Sequence, residues 1–435
     1  MEHLFVNILV LISMLGLIFL GAPIFLALGF SGLLGIFILR GFMGLFQIPG
    51  AIFGQIDHFV LVAIPLFILM GEVLFYTNIG RDIYDAFSRW LYKVPGGLAV
   101  ASVFACAIFG ALCGVSIAGV ATIGMMAIPE MLNRGYNKPL SAGSVTAAGA
   151  LAMLIPPSLL FILYGSIARV SVGKLFIGGI VPGILLACFM AIYIIIRCLI
   201  NPSLAPKEYT EITWKERILP LKRLWTVVVL ILLVLGSIYL GVATPTESAA
   251  MGAVGAFVIA IFVYKRIDLN TFRLIIYNAT RTSGSLLIIF ACAMSFSNYL
   301  SYVRIPDKLS EFVLALPIPD MGIFLIFMVL IILLGMFIDG ASLVIITTPL
   351  LLPVIIGLGF DPLWYGIILV INLEMAVITP PVGLNLYALR GVTKEEDISM
   401  KDIIGGTLPY VGLEFAALLF FIFVPGIIMW LPNMM

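Results

Sequence analysis

LIPPSLLFILYG, residues 154–165, sets two adjacent prolines inside an apolar run, and VITPPVGLNLYALRG, residues 377–391, does so again with Pro380-Pro381 224 residues after Pro156-Pro157. Proline has no N–H and cannot continue a helical ladder, so each pair breaks its helix and frees carbonyls of the preceding turn. Those carbonyls belong to Ala152 to Ile155 and to Ala376 to Thr379. Hydrocarbon offers no hydrogen bonds, so such backbone must be buried in protein or line a cavity. Carbonyl oxygens there suit a small hard cation. The same offset superimposes Pro129 on Pro353, Gly135 on Gly359 and Tyr136 on Phe360. The chain is therefore expected to hold two related halves.

Around these segments 63% of the 435 residues are hydrophobic and only 10% charged, against about 25% charged in soluble domains. That excludes a soluble enzyme and implies a polytopic membrane protein. Apolar runs predict spans near 4–20, 24–39, 60–78, 140–165, 176–199, 225–241, 247–264, 282–300, 363–388 and 405–431. The N-terminus lacks the basic start and small-residue cleavage site of a signal peptide, so the first span is expected to stay. Two runs, 95–133 and 319–358, are too long for one helix and are cut by Cys113-Gly114-Val115-Ser116 and by Asp339-Gly340-Ala341-Ser342. Both read as hairpins that enter and leave by one side.

With that topology eighteen of the 23 Lys and Arg residues fall on one side, Lys207, Arg273 and Arg281 among them. Arg40, Arg169, Lys174, Arg304 and Lys308 fall on the other. The positive-inside rule puts the first group in the cytoplasm and both termini outside. The charged stretches 79–93 and 301–317 correspond by the repeat yet lie on opposite sides, so the repeat is inverted, the pattern of secondary transporters with a site between broken helices. Residues 201–224, with Pro202, Pro206, Pro220 and mixed charge, read as a linker between the halves.

The residue inventory narrows the chemistry. A net charge of +1 offers nothing to nucleic acid. Two histidines, His3 and His58, sit near span ends and cannot build a membrane-embedded triad. The five cysteines show no metal or disulfide spacing. Asp339 is costly in the bilayer, about 2.5–3.5 kcal/mol at its centre, so it needs a partner: a cation, a polar substrate or a proton. Glu72, Glu247 and Glu374 also stand in apolar context; Glu247 reads equally as a helix cap beside Thr244 and as a ligand contact. An intramembrane aspartyl protease needs two facing aspartates, and only Asp339 is available.

GVATPTESAAMGA (241–253), FGALCGVSIAGVATIG (109–124) and the two proline segments together resemble the large membrane subunit of the tripartite ATP-independent periplasmic (TRAP) transporters, over essentially the whole chain. The resemblance implies no enzyme but an all-α, elevator-type, sodium-coupled importer of organic acids in a bacterial inner membrane. Its implied partners are a small four-helix membrane subunit and a periplasmic binding protein, with no cofactor other than coupling sodium ions. It implies one sodium site at Gly110, Cys113, Ala152, Ile155 and Pro157, a second at Gly335, Ile338, Ala376, Thr379 and Val382, and substrate near Ser116, Ser158 and Asp339. Many relatives carry a serine-rich first tip where this chain has Cys113-Gly114-Val115-Ser116, which lacks two hydroxyls.

The expected division is scaffold helices with a first arm (1–94), a first half of the transport core (95–199), a cytoplasmic linker (200–224), further scaffold with a second arm (225–318) and a second half-core (319–435). The competing expectation is a proton-coupled, single-component carrier of organic anions in which Asp339 titrates.

Overall fold

The computed structural model describes residues 4–77, 79–206, 213–394 and 396–435; His3, Lys207 and the linker stretch 207–212 lie outside them. Among the described residues every regular element is helical. In chain order these are α1 (Leu4–Phe19), α2 (Ile24–Leu45), α3 (Gln47–Ile56), α4 (Ala63–Phe75), the amphipathic α5 (Ile79–Leu91), α6 (Gly97–Cys113), α7 (Ser116–Asn133), α8 (Lys138–Ala150), α9 (Leu159–Ala168) and α10 (Val172–Ile200). After the linker come α11 (Trp214–Tyr239), α12 (Pro245–Val263) and α13 (Leu269–Tyr302). The chain ends with α14 (Ile305–Leu314), α15 (Asp320–Gly335), α16 (Gly340–Gly357), α17 (Pro362–Val377), α18 (Leu384–Val392), α19 (Met400–Phe423) and α20 (Pro425–Met429).

Eight helices among the described residues are long and apolar enough to cross a membrane, or up to nine if the bent pair Gln47–Ile56 and Phe59–Phe75 is one span. The expected broken spans are broken where the prolines stand: α8 gives way to α9, and α17 to α18. Both proline pairs are joined by cis peptide bonds. The two long runs fold as hairpins, α6 with α7 and α15 with α16, each pair packed limb against limb. The tips are built differently. Gly114 closes α6 in the left-handed conformation, φ 66°, its N–H donating to the Gly110 carbonyl at 2.7 Å. Asp339 instead caps the start of α16, accepting the Ser342 N–H at 3.0 Å.

Four spans differ from expectation. The one expected at 225–241 begins at Trp214, so the C-terminal part of the expected linker 201–224 is helical, started by Thr213 as its cap. α2 runs on to Leu45, with non-helical backbone at Gly41. The span expected at 405–431 ends at Phe423, before Pro425. The span expected at 282–300 begins at Leu269 and carries Arg273 and Arg281 inside the helix rather than in a loop. A 34-residue helix is about 51 Å long, more than the roughly 30 Å of a hydrocarbon core, so part of it extends beyond.

The two halves pack reciprocally. α7 of the first hairpin lies along α18, the half-helix after the second break, and α16 of the second lies along α9, the half-helix after the first. Two hydrogen bonds tie the breaks together: the Tyr164 hydroxyl donates to the Pro362 carbonyl at 2.5 Å, and the Asn385 amide to the Thr146 carbonyl at 3.4 Å. Around this assembly, α13 packs along α2, α3 and α4 and also against α16, and α4 packs along α12.

Candidate substrate and cation site

The first hairpin tip sits on the first break. A Cβ built on Gly110 would stand 2.6 Å from the Ala152 Cβ, and one on Gly114 would stand 2.6 Å from the Pro157 carbonyl oxygen. Only glycine allows backbone to approach backbone this closely. The second repeat reproduces the contact, with a Cβ on Gly335 only 2.5 Å from that of Ala376, and Gly383 N–H donating to the Met336 carbonyl at 3.3 Å. Gly110 and Ala152 thus meet in one half as Gly335 and Ala376 meet in the other.

The carbonyls released by the prolines are partly reclaimed. The Ser158 hydroxyl donates to the Met153 carbonyl and the Thr379 N–H to the Ala376 carbonyl at 3.1 Å, while the Thr379 hydroxyl reaches one residue further back, to the Met375 carbonyl at 2.6 Å. A carbonyl oxygen has two lone pairs, so one such bond leaves a position for a cation. The Cys113 thiol donates to the Val115 carbonyl at 3.6 Å, which engages the side chain within its own tip. Ile155 turns its side chain against Gly183 of α10, while Ile338 and Val382 are half-buried at the second tip and break.

Both tips face a cavity of about 470 Å³, lined on one side by Gly114, Val115 and Ser116 and by Asp339, Gly340 and Ala341. Ser116 and Asp339 therefore share one space although 223 positions separate them. Ser158 does not line it: fully buried, it caps α9 by accepting the Phe161 N–H at 3.4 Å. The opposite wall comes from Glu72 of α4 and from Asn278, Arg281, Thr282 and Ser285 of α13. Asn278 donates its amide to Glu72 at 3.4 Å and to the Tyr76 hydroxyl at 3.2 Å. α4 also touches the first tip, since a Cβ on Gly71 would stand 3.0 Å from that of Cys113.

Sequence reasoning places Arg281 in a loop and gives no role to Asn278, Thr282 or Ser285. A signal is present: they recur at i, i+3, i+4 and i+7, one face of a helix. It also passes over Glu414. Glu374 and Glu414 are 0% and 1% exposed, and none of their four carboxyl oxygens has a hydrogen-bond partner among the described residues. Glu247, in contrast, is a capping residue, its carboxylate accepting the Thr244 N–H at 2.8 Å.

An inverted pair of hairpins and broken helices is a transporter architecture, and comparison with known proteins is specific. Residues 11–427 match the family model described as "Tripartite ATP-independent periplasmic transporter, DctM component". The chain belongs to this family. Among DctM relatives it is 34% identical to the C4-dicarboxylate TRAP transporter large permease protein DctM of Vibrio cholerae, over 98% of this chain and 97% of that one. It is 33% identical to the isethionate TRAP transporter permease protein DctMQ of Oleidesulfovibrio alaskensis, over 95% of this chain and 64% of that longer one. The fold is similar to that of the Alcanivorax borkumensis YdaH transporter, with a TM-score of 0.64 at 17% identity, covering 90% of this chain and 88% of that one. As a DctM component the protein is a permease of a tripartite system and not an enzyme.

Proposed function

We propose that this chain imports an organic acid together with sodium across a bacterial inner membrane, its termini and second arm facing the periplasm. Its partners are a small four-helix membrane subunit and a periplasmic binding protein that delivers the acid. The observation carrying this reading is the paired contact of each glycine-lined tip with a proline break beside one shared cavity. Curated relatives named for a C4-dicarboxylate and for isethionate support an anionic substrate.

Gly110, Cys113, Ala152, Ile155 and Pro157 would hold one sodium ion and Gly335, Ile338, Ala376, Thr379 and Val382 the other, mostly through main-chain oxygens. The donors fit a hard cation, because main-chain carbonyl oxygens are its preferred ligands and the Gly110–Ala152 and Gly335–Ala376 contacts bring each tip onto its break. The charged groups lining the cavity are Glu72, Arg281 and Asp339, so without added cations it would repel an acid. Sodium at the tips reverses that balance and offsets the cost of taking the anion out of water. Ser116 and Asp339 would then meet its polar groups, with Ser158 holding the first break in shape. The assembly of 95–199 and 319–431 would move as an elevator past the scaffold built on α13, its halves joined through the segment 200–224, which is helical from Trp214.

Uptake of labelled succinate or isethionate into proteoliposomes holding the complex and its binding protein tests the coupling. An inward sodium gradient should drive accumulation, and uptake indifferent to that gradient would refute it.

A further inference from the structure

We infer, resting on the organic-acid import proposed above, that Asn278, Arg281, Thr282 and Ser285 form a stationary wall of the substrate site, on which Arg281 reads the acid's anionic group. Four polar side chains at helical spacing on a membrane helix all line the cavity, which a lipid-facing or packing surface would not do. Arg281 is the one cation among the lining residues.

Its guanidinium is open for the task. Among the described residues it forms no ion pair with Glu72 or Asp339, and it is exposed to the cavity. Both neighbouring acids are engaged elsewhere, Glu72 by Asn278 at 3.4 Å and Asp339 by the Ser342 N–H at 3.0 Å. A guanidinium offers a planar fork that matches a carboxylate or a sulfonate.

Arg281 belongs to α13, which is in neither hairpin and packs most extensively along α2, with α3, α4 and the α16 limb of the second hairpin also against it. When the tips carry the acid away, Arg281 stays behind. The acid is therefore held by Arg281 only while the cavity has the form seen here, and the site is intrinsically asymmetric between its two facing states.

The test uses the full complex in oriented proteoliposomes, with succinate and isethionate as probe acids presented from either face. Arg281→Gln should raise KM about ten- to a hundred-fold, the loss of a charge-assisted pair, on the face that exposes this cavity and leave the other face unchanged. Arg281→Lys keeps the charge without the fork and should recover most of the loss; if the Gln variant fails to fold, Lys alone decides, with a several-fold rise in KM on that face only. Wild-type KM on both faces in either variant, or an equal rise on both that Lys does not relieve, overturns the assignment. Wild-type protein that moves neither acid in a sodium gradient overturns the proposed import itself, and is distinguishable because it fails before any substitution is made.

Discussion

Replacing Gly114 by alanine tests whether the first tip and the first break form one ion-binding unit. Gly114 has φ 66°, a conformation that costs an L-residue about 1–2 kcal/mol. Its new Cβ would also stand 2.6 Å from the Pro157 carbonyl oxygen, so tip and break must separate by several tenths of an ångström at an overpacking cost of about 1–3 kcal/mol. Metal sites tolerate only about 0.2 Å in ligand distance, so the shift should abolish binding there. Gly359 supplies the control: its φ is 81° but a Cβ added to it would meet no atom within 4 Å, so Gly359→Ala carries the conformational cost alone. The assay is the melting temperature of the purified complex as sodium chloride is titrated against choline chloride. A ligand at a hundred times its Kd stabilises by about 2.7 kcal/mol, and a comparable sodium-dependent rise is expected in wild type and in Gly359→Ala. In Gly114→Ala that rise should shrink to what the second site supplies. Identical sodium titrations for Gly114→Ala and wild type would refute the coupling of tip, break and ion.

Asp339→Asn separates capping from charge. Asparagine caps a helix as well as aspartate does, so melting should move by no more than about 0.5 kcal/mol equivalent, while uptake should fall at least about ten-fold, as expected for a lost charged hydrogen bond; undiminished uptake would show that the carboxylate serves only α16. Gly406→Ala drives a Cβ to 1.9 Å from the Pro139 carbonyl oxygen, where α8 and α19 cross, and should cost about 3 kcal/mol or more, seen as loss of monodisperse protein. Gly405→Ala, beside it with nothing within 4 Å, should purify normally; equal yields of the two variants would contradict the close crossing.

Much of the architecture is legible in one dimension because the membrane makes local demands. Every stretch in hydrocarbon must be apolar and must satisfy its own backbone, so spans, their proline breaks and the hairpins around Gly114 and Asp339 all leave marks in composition and spacing. The offset of 224 residues between the proline pairs likewise pairs Ala152 with Ala376, and the contacts of Gly110 and Gly335 bear that pairing out. The same local logic fails at Arg281: a charge beside an apolar run reads as a loop residue, because hydropathy cannot tell a helix leaving the membrane from one turning a polar face to a cavity. Glu414 stands in an apolar run as Glu374 does and is equally legible, but nothing local shows that both carboxyls end fully buried.

From the sequence alone came the membrane class, the inverted duplication, the two broken helices and the backbone character of the tips, since each depends on residues close together in the chain or on a repeat of them. Which surfaces meet was decided only in three dimensions. Ser116 and Asp339 face one cavity, Ser158 turns away from it to cap α9, and the polar stripe of α13 closes it from a different part of the chain. Those relations come from helix rotation and packing between segments hundreds of positions apart, and no local preference of the chain encodes them singly.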